Sequence, residues 1–318
     1  MKQILLHIGY HKTGTTWLQK EIFDKEQLGL SPLLDSRNKN NAILSKSITP
    51  FLYGAHDLDF RASQMRDHIE NYCTSQTGKM PVISDERLSG NPHGGGRDSA
   101  AIAERLREVF PQAKILITIR EQISVILSCY HQYLKRGGCR SLKEYLTPRQ
   151  APEGDFFTQS HFHYHRLVEL YQNYFKPENV LVAPFESYKS EKNFFIQQLG
   201  DFVGYSGSMP DIENSAHNKT PSYIGASYTR LLGPLIARDP LNGYSPLAPP
   251  LSPGHGKHAL RLMRKPFDIL PDKWEKAFKD KQMTQIKESI NLEEIAKSNA
   301  KLIEQTNLQL GQYGYLLP

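Results

Sequence analysis

The sequence predicts a three-layer α/β fold, in which a central and mostly parallel sheet carries helices on both faces. Short apolar runs of strand length alternate with longer segments of helical periodicity, a pattern typical of parallel strands joined by helices. The 318 residues are 39% hydrophobic and 10% aromatic, which is enough for a sizeable core. No internal repeat is visible. We therefore expect a single domain spanning residues 1–318.

The elements of the N-terminal half follow from apolar periodicity and from the residues that bound each run. Strand-length apolar runs end at Gly9, Asp85 and Arg120, which therefore mark the carboxyl ends of three strands. Helical segments repeat apolar residues every three or four positions, and Pro111 ends one of them. The predicted elements are strand 4–8, helix 15–27, helix 61–76, strand 82–84, helix 99–110, strand 114–119 and helix 123–134.

The C-terminal half shows the same alternation, interrupted by segments rich in Gly, Pro, Ser and Asn that indicate long loops. The predicted elements are helix 161–175, strand 180–183, helix 189–203 and one amphipathic helix 281–308. Irregular insertions are expected around residues 28–60, 137–160 and 205–258. Parallel sheets bind ligands at the carboxyl ends of their strands, so the candidate site lies where the apolar runs end.

Composition narrows the class of protein and its partners. The net charge of +6 favours anionic partners, but no run of like charges indicates binding to nucleic acid. The apolar start is interrupted by His7 and His11, so it is predicted to be a strand and not a signal peptide. No run is long enough for a transmembrane segment, which leaves only peripheral membrane contact open. Three cysteines without metal-ligand spacing favour the cytoplasm.

The first motif is a glycine- and threonine-rich turn between a strand and a helix, the context of a phosphate-binding loop. Gly9 and Gly14 keep the spacing of a nucleotide triphosphatase loop, and Thr16 stands at its Ser/Thr position. The lysine expected after the second glycine is replaced by Thr15, and Lys12 lies inside the loop instead. A lysine there can reach a group that is being transferred. The alternative is a capped turn without a ligand.

Two further motifs follow the other strands. Arg120 ends the 114–119 strand, where its planar guanidinium can donate two hydrogen bonds to a phosphate, and Ser128 lies in the next helix. Asp85 and Glu86 end the 82–84 strand, where a carboxylate can act as a general base. The alternatives are a surface ion pair for the arginine and ion pairs with nearby arginines for the carboxylates.

The segment His-Lys-Thr-Gly-Thr-Thr-Trp-Leu, with an Arg–Ser pair about a hundred residues later, resembles the sulfotransferases that use 3′-phosphoadenosine-5′-phosphosulfate (PAPS). These enzymes have a P-loop-like fold. The resemblance implies that the loop holds the 5′-phosphosulfate, that the lysine contacts the bridging oxygen and that the tryptophan lies against adenine. By position, the implied cofactor-binding residues are Lys12, Thr13, Gly14, Thr15, Thr16, Trp17, Arg120 and Ser128, the last two on the 3′-phosphate.

The resemblance also implies the chemistry. Sulfuryl transfer from PAPS to a hydroxyl or amine would leave adenosine 3′,5′-bisphosphate, with Lys12 and Glu86 as catalytic residues, Asp85 as the alternative base, and no metal. Glutamate at this position is similar to carbohydrate-acting and bacterial members, so a carbohydrate, glycolipid or small molecule is the expected acceptor. Phe185 replaces a tyrosine of the cytosolic members. Their C-terminal Arg-Lys-Gly loop is not found, and Lys219 or residues 256–257 are the candidate substitutes.

Three other hypotheses compete with this interpretation. A nucleotide or sugar kinase using ATP and Mg²⁺ would also have a phosphate loop, and Asp85 could then hold the metal. A basic module binding polyanions would need no base. A metal site is suggested by His161 and His165, which would share a helical face, but no third ligand is evident and the flanking aromatic residues indicate packing.

Overall fold

The structure, a computed structural model, describes residues 3–33, 48, 51–73, 78–147, 157–212, 222–236 and 260–318. Its core is a five-stranded sheet in which every pair of neighbouring strands is parallel. The strands are β1 (Leu5–His7), β2 (Leu30–Pro32), β3 (Met80–Ser84), β4 (Lys114–Ile119) and β5 (Val180–Pro184). The order across the sheet is β2-β3-β1-β4-β5. The three strands followed by candidate motifs, β3, β1 and β4, are therefore adjacent.

Helices surround this sheet, and the first of them continues as a π-helix over Leu18–Phe23. The α-helices are α1 (Thr15–Trp17), α2 (Ala62–Cys73), α3 (Ser99–Val109), α4 (Gln122–Lys135), α5 (Leu142–Leu146), α6 (Tyr164–Phe175), α7 (Phe185–Ser190), α8 (Lys192–Val203), α9 (Tyr223–Ile236), α10 (Asp272–Ser289) and α11 (Leu292–Thr306). None of the helices in the described residues is both long enough and apolar enough to span a membrane.

Alternate residues of the central strands pack into two separate cores, as expected for a sheet covered on both sides. On one face, Leu6 and Ile115 pack with α3, α4 and α6. On the other face, Leu5 and Leu116 pack with the π-helical segment and α8. This arrangement confirms the predicted three-layer α/β fold with a parallel sheet.

A buried histidine connects the three central strands. His7 ends β1, and its Nδ1 lies 2.7 Å from the Ser84 hydroxyl of β3. Its Nε2 lies 3.1 Å from the Thr118 hydroxyl of β4. The ring is completely buried, and burial lowers the pKa of His7 from 6.5 to about 3. This neutral ring holds the carboxyl ends of the strands in register next to the loop that follows β1.

Several predicted boundaries are wrong in detail. The 28–60 segment is not wholly irregular, because Leu30–Pro32 pairs with β3 as an edge strand too short for periodicity to reveal. The predicted helix 281–308 is two helices, because Asn291 accepts the Glu294 N–H and starts a new helix. Likewise, the predicted helix 189–203 is divided at Glu191. Lys219 and residues 256–257 lie outside the described residues.

Candidate active site

The loop after β1 has a backbone suited to an anion. Lys12 has a φ of 67° and Gly14 a φ of 89°, so left-handed residues flank Thr13 and turn successive N–H groups toward one side. In the described part of the chain, the backbone N–H groups from Lys12 to Thr16 find no backbone acceptor. These donors at the start of a helix can satisfy phosphate oxygens.

The two buried threonines of the loop have different environments. The Thr13 hydroxyl donates to the Tyr10 carbonyl at 2.5 Å and lies 2.7 Å from the Thr118 hydroxyl, so this side chain braces the loop. Only the backbone of Thr13 remains available to a ligand. The Thr15 hydroxyl is buried and finds no hydrogen-bond partner among the residues that the structure describes. Because leaving such a group unsatisfied is costly, it is a candidate contact for a bound oxygen.

Arg120 joins the second motif to the first. Its Nη1 donates to the Lys12 carbonyl at 3.2 Å and to the Ser128 hydroxyl at 3.3 Å. The Tyr164 hydroxyl donates to the Arg120 carbonyl at 2.6 Å and holds this strand end in place. The guanidinium therefore lies against the loop that follows β1, with Ser128 beside it.

A second cation, Lys189, lies close to Arg120, because both side chains contact the ring of Phe185. The Arg120 Cζ lies 5.0 Å from the centre of this ring, and the Lys189 Nζ lies 4.7 Å from it. Burial, followed by the charge of Arg120, lowers the pKa of Lys189. Lys189 was not among the residues predicted for the site. The available signal was its position four residues after Phe185, which puts both side chains on one face of α7.

Trp17 lies half-buried beside the loop and packs on aromatic residues. Its ring stacks on Tyr188 at 5.8 Å with an interplanar angle of 26° and is 6.5 Å from the ring of Phe195. Thr16 is also half-buried. The partly exposed indole can offer a flat apolar surface to a base, and it also contributes to the core on this face of the sheet.

The two carboxylates after β3 have separate roles. Asp85 accepts the Arg87 N–H at 2.8 Å and caps the short 3₁₀ helix Glu86–Ser89. Arg87 forms its ion pair with Asp98, at 3.0 Å, and not with either carboxylate. The Glu86 side chain remains one-third exposed, with the His11 Nε2 3.8 Å from its Oε1.

The electrostatics of Glu86 suit a general base. Burial raises its pKa above the ordinary range, and the positive charge of Lys12 opposes that shift. Asp85 raises the pKa further, whereas Arg136 and the amide of Gln132 lower it. Lys12 itself is exposed at the loop surface. A partly buried carboxylate with a raised pKa next to an exposed lysine is able to exchange a proton at the mouth of the loop.

The histidines near the loop do not form a metal centre. His11, His93 and His161 are buried, and burial followed by the two neighbouring histidines keeps the pKa of His11 well below its usual value. His161 packs on Tyr10 at 5.0 Å, whereas the His165 Nδ1 lies 2.8 Å from the Ser298 hydroxyl. Among the residues that the structure describes, no group of three potential ligands could hold a metal ion.

The chain matches the model of a known protein family. The model of the sulfotransferase domain matches residues 2–222, well over half of the chain. A sulfotransferase from Alicyclobacillus acidocaldarius is 15% identical, with 73% of this chain and 94% of that chain covered at a TM-score of 0.49. The sulfotransferase domain from the curacin biosynthetic pathway is 13% identical, with 85% and 99% covered at a TM-score of 0.40. No curated protein sequence matches the chain. The domain match establishes that the chain belongs to the sulfotransferase family and is a transferase enzyme.

Proposed function

We propose that this enzyme transfers a sulfuryl group from PAPS to a hydroxyl or amine. The observation that carries the proposal is the position of Arg120, whose Nη1 donates both to the loop carbonyl of Lys12 and to Ser128. One guanidinium therefore connects the loop after β1 with Ser128 of the helix after β4, so the two predicted anion-binding segments lie side by side. A nucleotide with phosphates at both its 5′ and 3′ positions matches this pair of sites.

The residues of both sites fit such a donor. At the 5′ end, the free amides from Lys12 to Thr16 and the unpartnered Thr15 hydroxyl would hold phosphate oxygens. At the 3′ end, Arg120 and Ser128 would hold the second phosphate. Lys189 is the cation that would strengthen this end, because it shares the ring of Phe185 with Arg120. Trp17 would lie against the adenine.

The proposed chemistry is an in-line displacement at sulfur. The bound donor supplies an activated sulfuryl group whose bond to a phosphate oxygen breaks as the acceptor oxygen or nitrogen bonds to sulfur. Glu86 accepts the proton that the acceptor loses. Lys12 neutralises the charge that develops on the departing phosphate oxygen. The fixed loop amides keep this oxygen oriented, so that positioning and electrostatics supply most of the rate enhancement.

Glu86 is a better candidate base than Asp85. The Asp85 carboxylate already accepts a backbone N–H as a helix cap, and moving it would expose that donor. The Glu86 carboxylate accepts no backbone N–H from the described residues, and its pKa is influenced first by burial and then by Lys12. The residue that would take the proton therefore lies beside the residue that would stabilise the leaving group.

A ligand comparison tests the donor. We expect adenosine 3′,5′-bisphosphate to raise the melting temperature of the chain in the presence of EDTA, and ATP with Mg²⁺ to raise it less. Lys12→Ala should abolish transfer, whereas Arg120→Ala should mainly weaken nucleotide binding. Stronger stabilisation by ATP with Mg²⁺ would instead favour the kinase hypothesis. Arg107→Ala is a suitable control, because Arg107 lies on α3 and packs over the Tyr174 ring away from the loop.

The remaining predictions extend this proposal. We propose that residues 1–318 work as a single domain in the cytoplasm and that binding of the donor needs no metal, because fixed cations and amides offset the phosphate charge. A carbohydrate, a glycolipid or a small molecule remains the proposed acceptor. Glutamate as the base supports this choice through the resemblance to carbohydrate-acting sulfotransferases. Transfer of labelled sulfate to a panel of glycans, glycolipids and small alcohols would identify the class.

A further inference from the structure

We propose that the acceptor carries an anionic group, a carboxylate, sulfate or phosphate, which binds to Lys135 and Arg136 at the end of α4. This inference rests on the proposed function, since it assumes that the donor fills the phosphate loop and leaves the other side of Glu86 to the acceptor. One face of α4 passes from the donor site to the candidate base and then beyond it.

Four polar or charged side chains lie along one side of α4. Ser128, Gln132 and Arg136 are four residues apart, and Lys135 lies seven residues after Ser128, so all four side chains lie on one side of the helix. Ser128 contacts Arg120 at the donor end. One turn later, the amide of Gln132 stabilises the Glu86 carboxylate. Lys135 follows about 10 Å beyond Ser128, past the candidate base.

Gln132 itself indicates that a polar ligand binds on this face. Its amide group acts on Glu86, yet its Oε1 is buried and has no hydrogen-bond partner in the described residues. A buried acceptor without a donor is unfavourable unless a ligand or water supplies one. A hydroxyl or amine of the acceptor could donate to this oxygen while it approaches Glu86.

Two cations, Lys135 and Arg136, lie at the end of the same face of α4. Burial and the positive charges of Lys12 and Arg264 lower the pKa of Lys135 to about 8. Neither Lys135 nor Arg136 forms an ion pair with a described acidic residue. Lys135 is half-buried and Arg136 is exposed beside it, and Glu86 is the acidic group that Arg136 influences. Two neighbouring cations that share so little negative charge are stabilised when an anion binds between them.

The ordinary explanation for cations here is the helix dipole, which favours positive charge at a C-terminus. Arg264 from a later segment already serves this purpose, because its Nη2 donates to the Lys135 carbonyl at 3.5 Å and its Nε to the Leu260 carbonyl at 3.0 Å. A second and a third cation add mutual repulsion there. Lys135 and Arg136 are therefore better explained by an anionic ligand than by the helix.

The test uses pairs of acceptors that differ only in charge. The panel is 4-hydroxybenzoate with 4-hydroxybenzyl alcohol, 4-nitrophenyl glucuronide with 4-nitrophenyl glucoside, and glycerate with glycerol. Each compound is titrated calorimetrically into the full chain saturated with adenosine 3′,5′-bisphosphate, so that the loop and the Arg120 site are occupied. At least one acid should bind about tenfold more tightly than its neutral partner, as expected for one charge-assisted hydrogen bond.

Two variants test whether Lys135 and Arg136 cause the preference for the acid. Lys135→Met combined with Arg136→Gln should remove the preference for the acid and keep nucleotide affinity within about twofold, which also shows that the variant folds. Lys143→Met is the matched control, because Lys143 is an exposed lysine on α5 and should keep the preference.

The outcomes separate the two proposals. Nucleotide binding without any preference for an acid, or with a preference that survives in the double variant, overturns the anionic acceptor and leaves the proposed donor intact. Failure of the wild-type chain to bind the nucleotide refutes the proposed function, and the acceptor inference falls with it. A phosphorylated or sulfated acid that binds while the carboxylates do not would support the inference and identify the anion.

Discussion

Replacing Gly14 by alanine tests whether the phosphate loop and the arginine site are one unit. Gly14 has a φ of +89°, and a Cβ there would lie 2.8 Å from Cδ2 and 3.0 Å from Cε2 of the Phe185 ring. The same ring lies beneath the Arg120 guanidinium. Gly78 is a matched control, because its φ is +87° and a Cβ there would meet nothing within 4 Å.

The two alanine variants share one energetic cost and differ in another. A left-handed conformation costs an alanine about 1–2 kcal/mol, and this applies equally to Gly14→Ala and Gly78→Ala. Only Gly14→Ala must also displace the Phe185 ring, for which overpacking costs about 1–3 kcal/mol. We therefore expect Gly14→Ala to lower the free energy of unfolding by about 2–5 kcal/mol, and Gly78→Ala by about 1–2 kcal/mol.

The affinity for the nucleotide shows whether Gly14→Ala disturbs only the loop or also the Arg120 site. If the ring moves, the Arg120 guanidinium loses its support, and adenosine 3′,5′-bisphosphate should bind at least about tenfold more weakly to Gly14→Ala than to the wild type. Gly78→Ala should bind it normally. Denaturant unfolding gives the stability, and calorimetric titration gives the affinity. Wild-type affinity in Gly14→Ala, with stability lowered only as much as in Gly78→Ala, would refute the coupling through Phe185.

Three other expectations concern the base, the arginine and the buried histidines. Glu86→Gln should reduce the rate of transfer by about 10²–10⁴ with unchanged nucleotide affinity. Because burial raises the pKa of Glu86, the wild-type rate should fall on acidification at a higher pH than for an ordinary glutamate, and a flat profile would contradict this role. Arg120→Lys should weaken nucleotide binding because it loses the planar fork, whereas equal affinity would exclude a contact that needs it. Burial lowers the pKa of His7 to about 3 and those of His131 and His161 to about 4, so these rings stay neutral when folded but take up protons when unfolded below pH 6.5. The free energy of unfolding should therefore decrease as the pH is lowered from 6.5 to 4, by up to about 1.4 kcal/mol per pH unit for each histidine. Denaturant titrations that show constant stability over this range would contradict the prediction.

The elements best predicted from the sequence are those with strong local patterns. The strand Lys114–Ile119 was located to the residue, because five consecutive β-forming or apolar residues, 115–119, end at an arginine. The N-terminal strand and the start of the first helix were also located, since Gly9 and Gly14 punctuate them. Leu30–Pro32 was missed because three residues carry no period, and its strand character comes from pairing with β3.

In the candidate site too, the sequence predicted which segments lie together but not what each side chain contacts. Parallel strands end at one edge, so the order of motifs along the chain was enough to expect Lys12, Glu86 and Arg120 near each other. The roles of single side chains needed the tertiary structure. Thr13 looked like a phosphate ligand, but its hydroxyl braces the loop against Tyr10 and Thr118. Which atoms a short hydroxyl reaches depends on strands far away in sequence.

By itself, the sequence determined the α/β class, the glycine- and threonine-rich loop with a lysine inside it, and the position of an arginine and a serine after a later strand. These features depend on local periodicity, on backbone conformations that only certain residues adopt, and on charge. Only the tertiary structure decided that β1 lies between β3 and β4, that Phe185 contacts both Arg120 and Lys189, and that Lys135 forms no ion pair within the described part of the chain. Packing between remote segments sets the solvent exposure and charge partners of each group, and no local pattern encodes them.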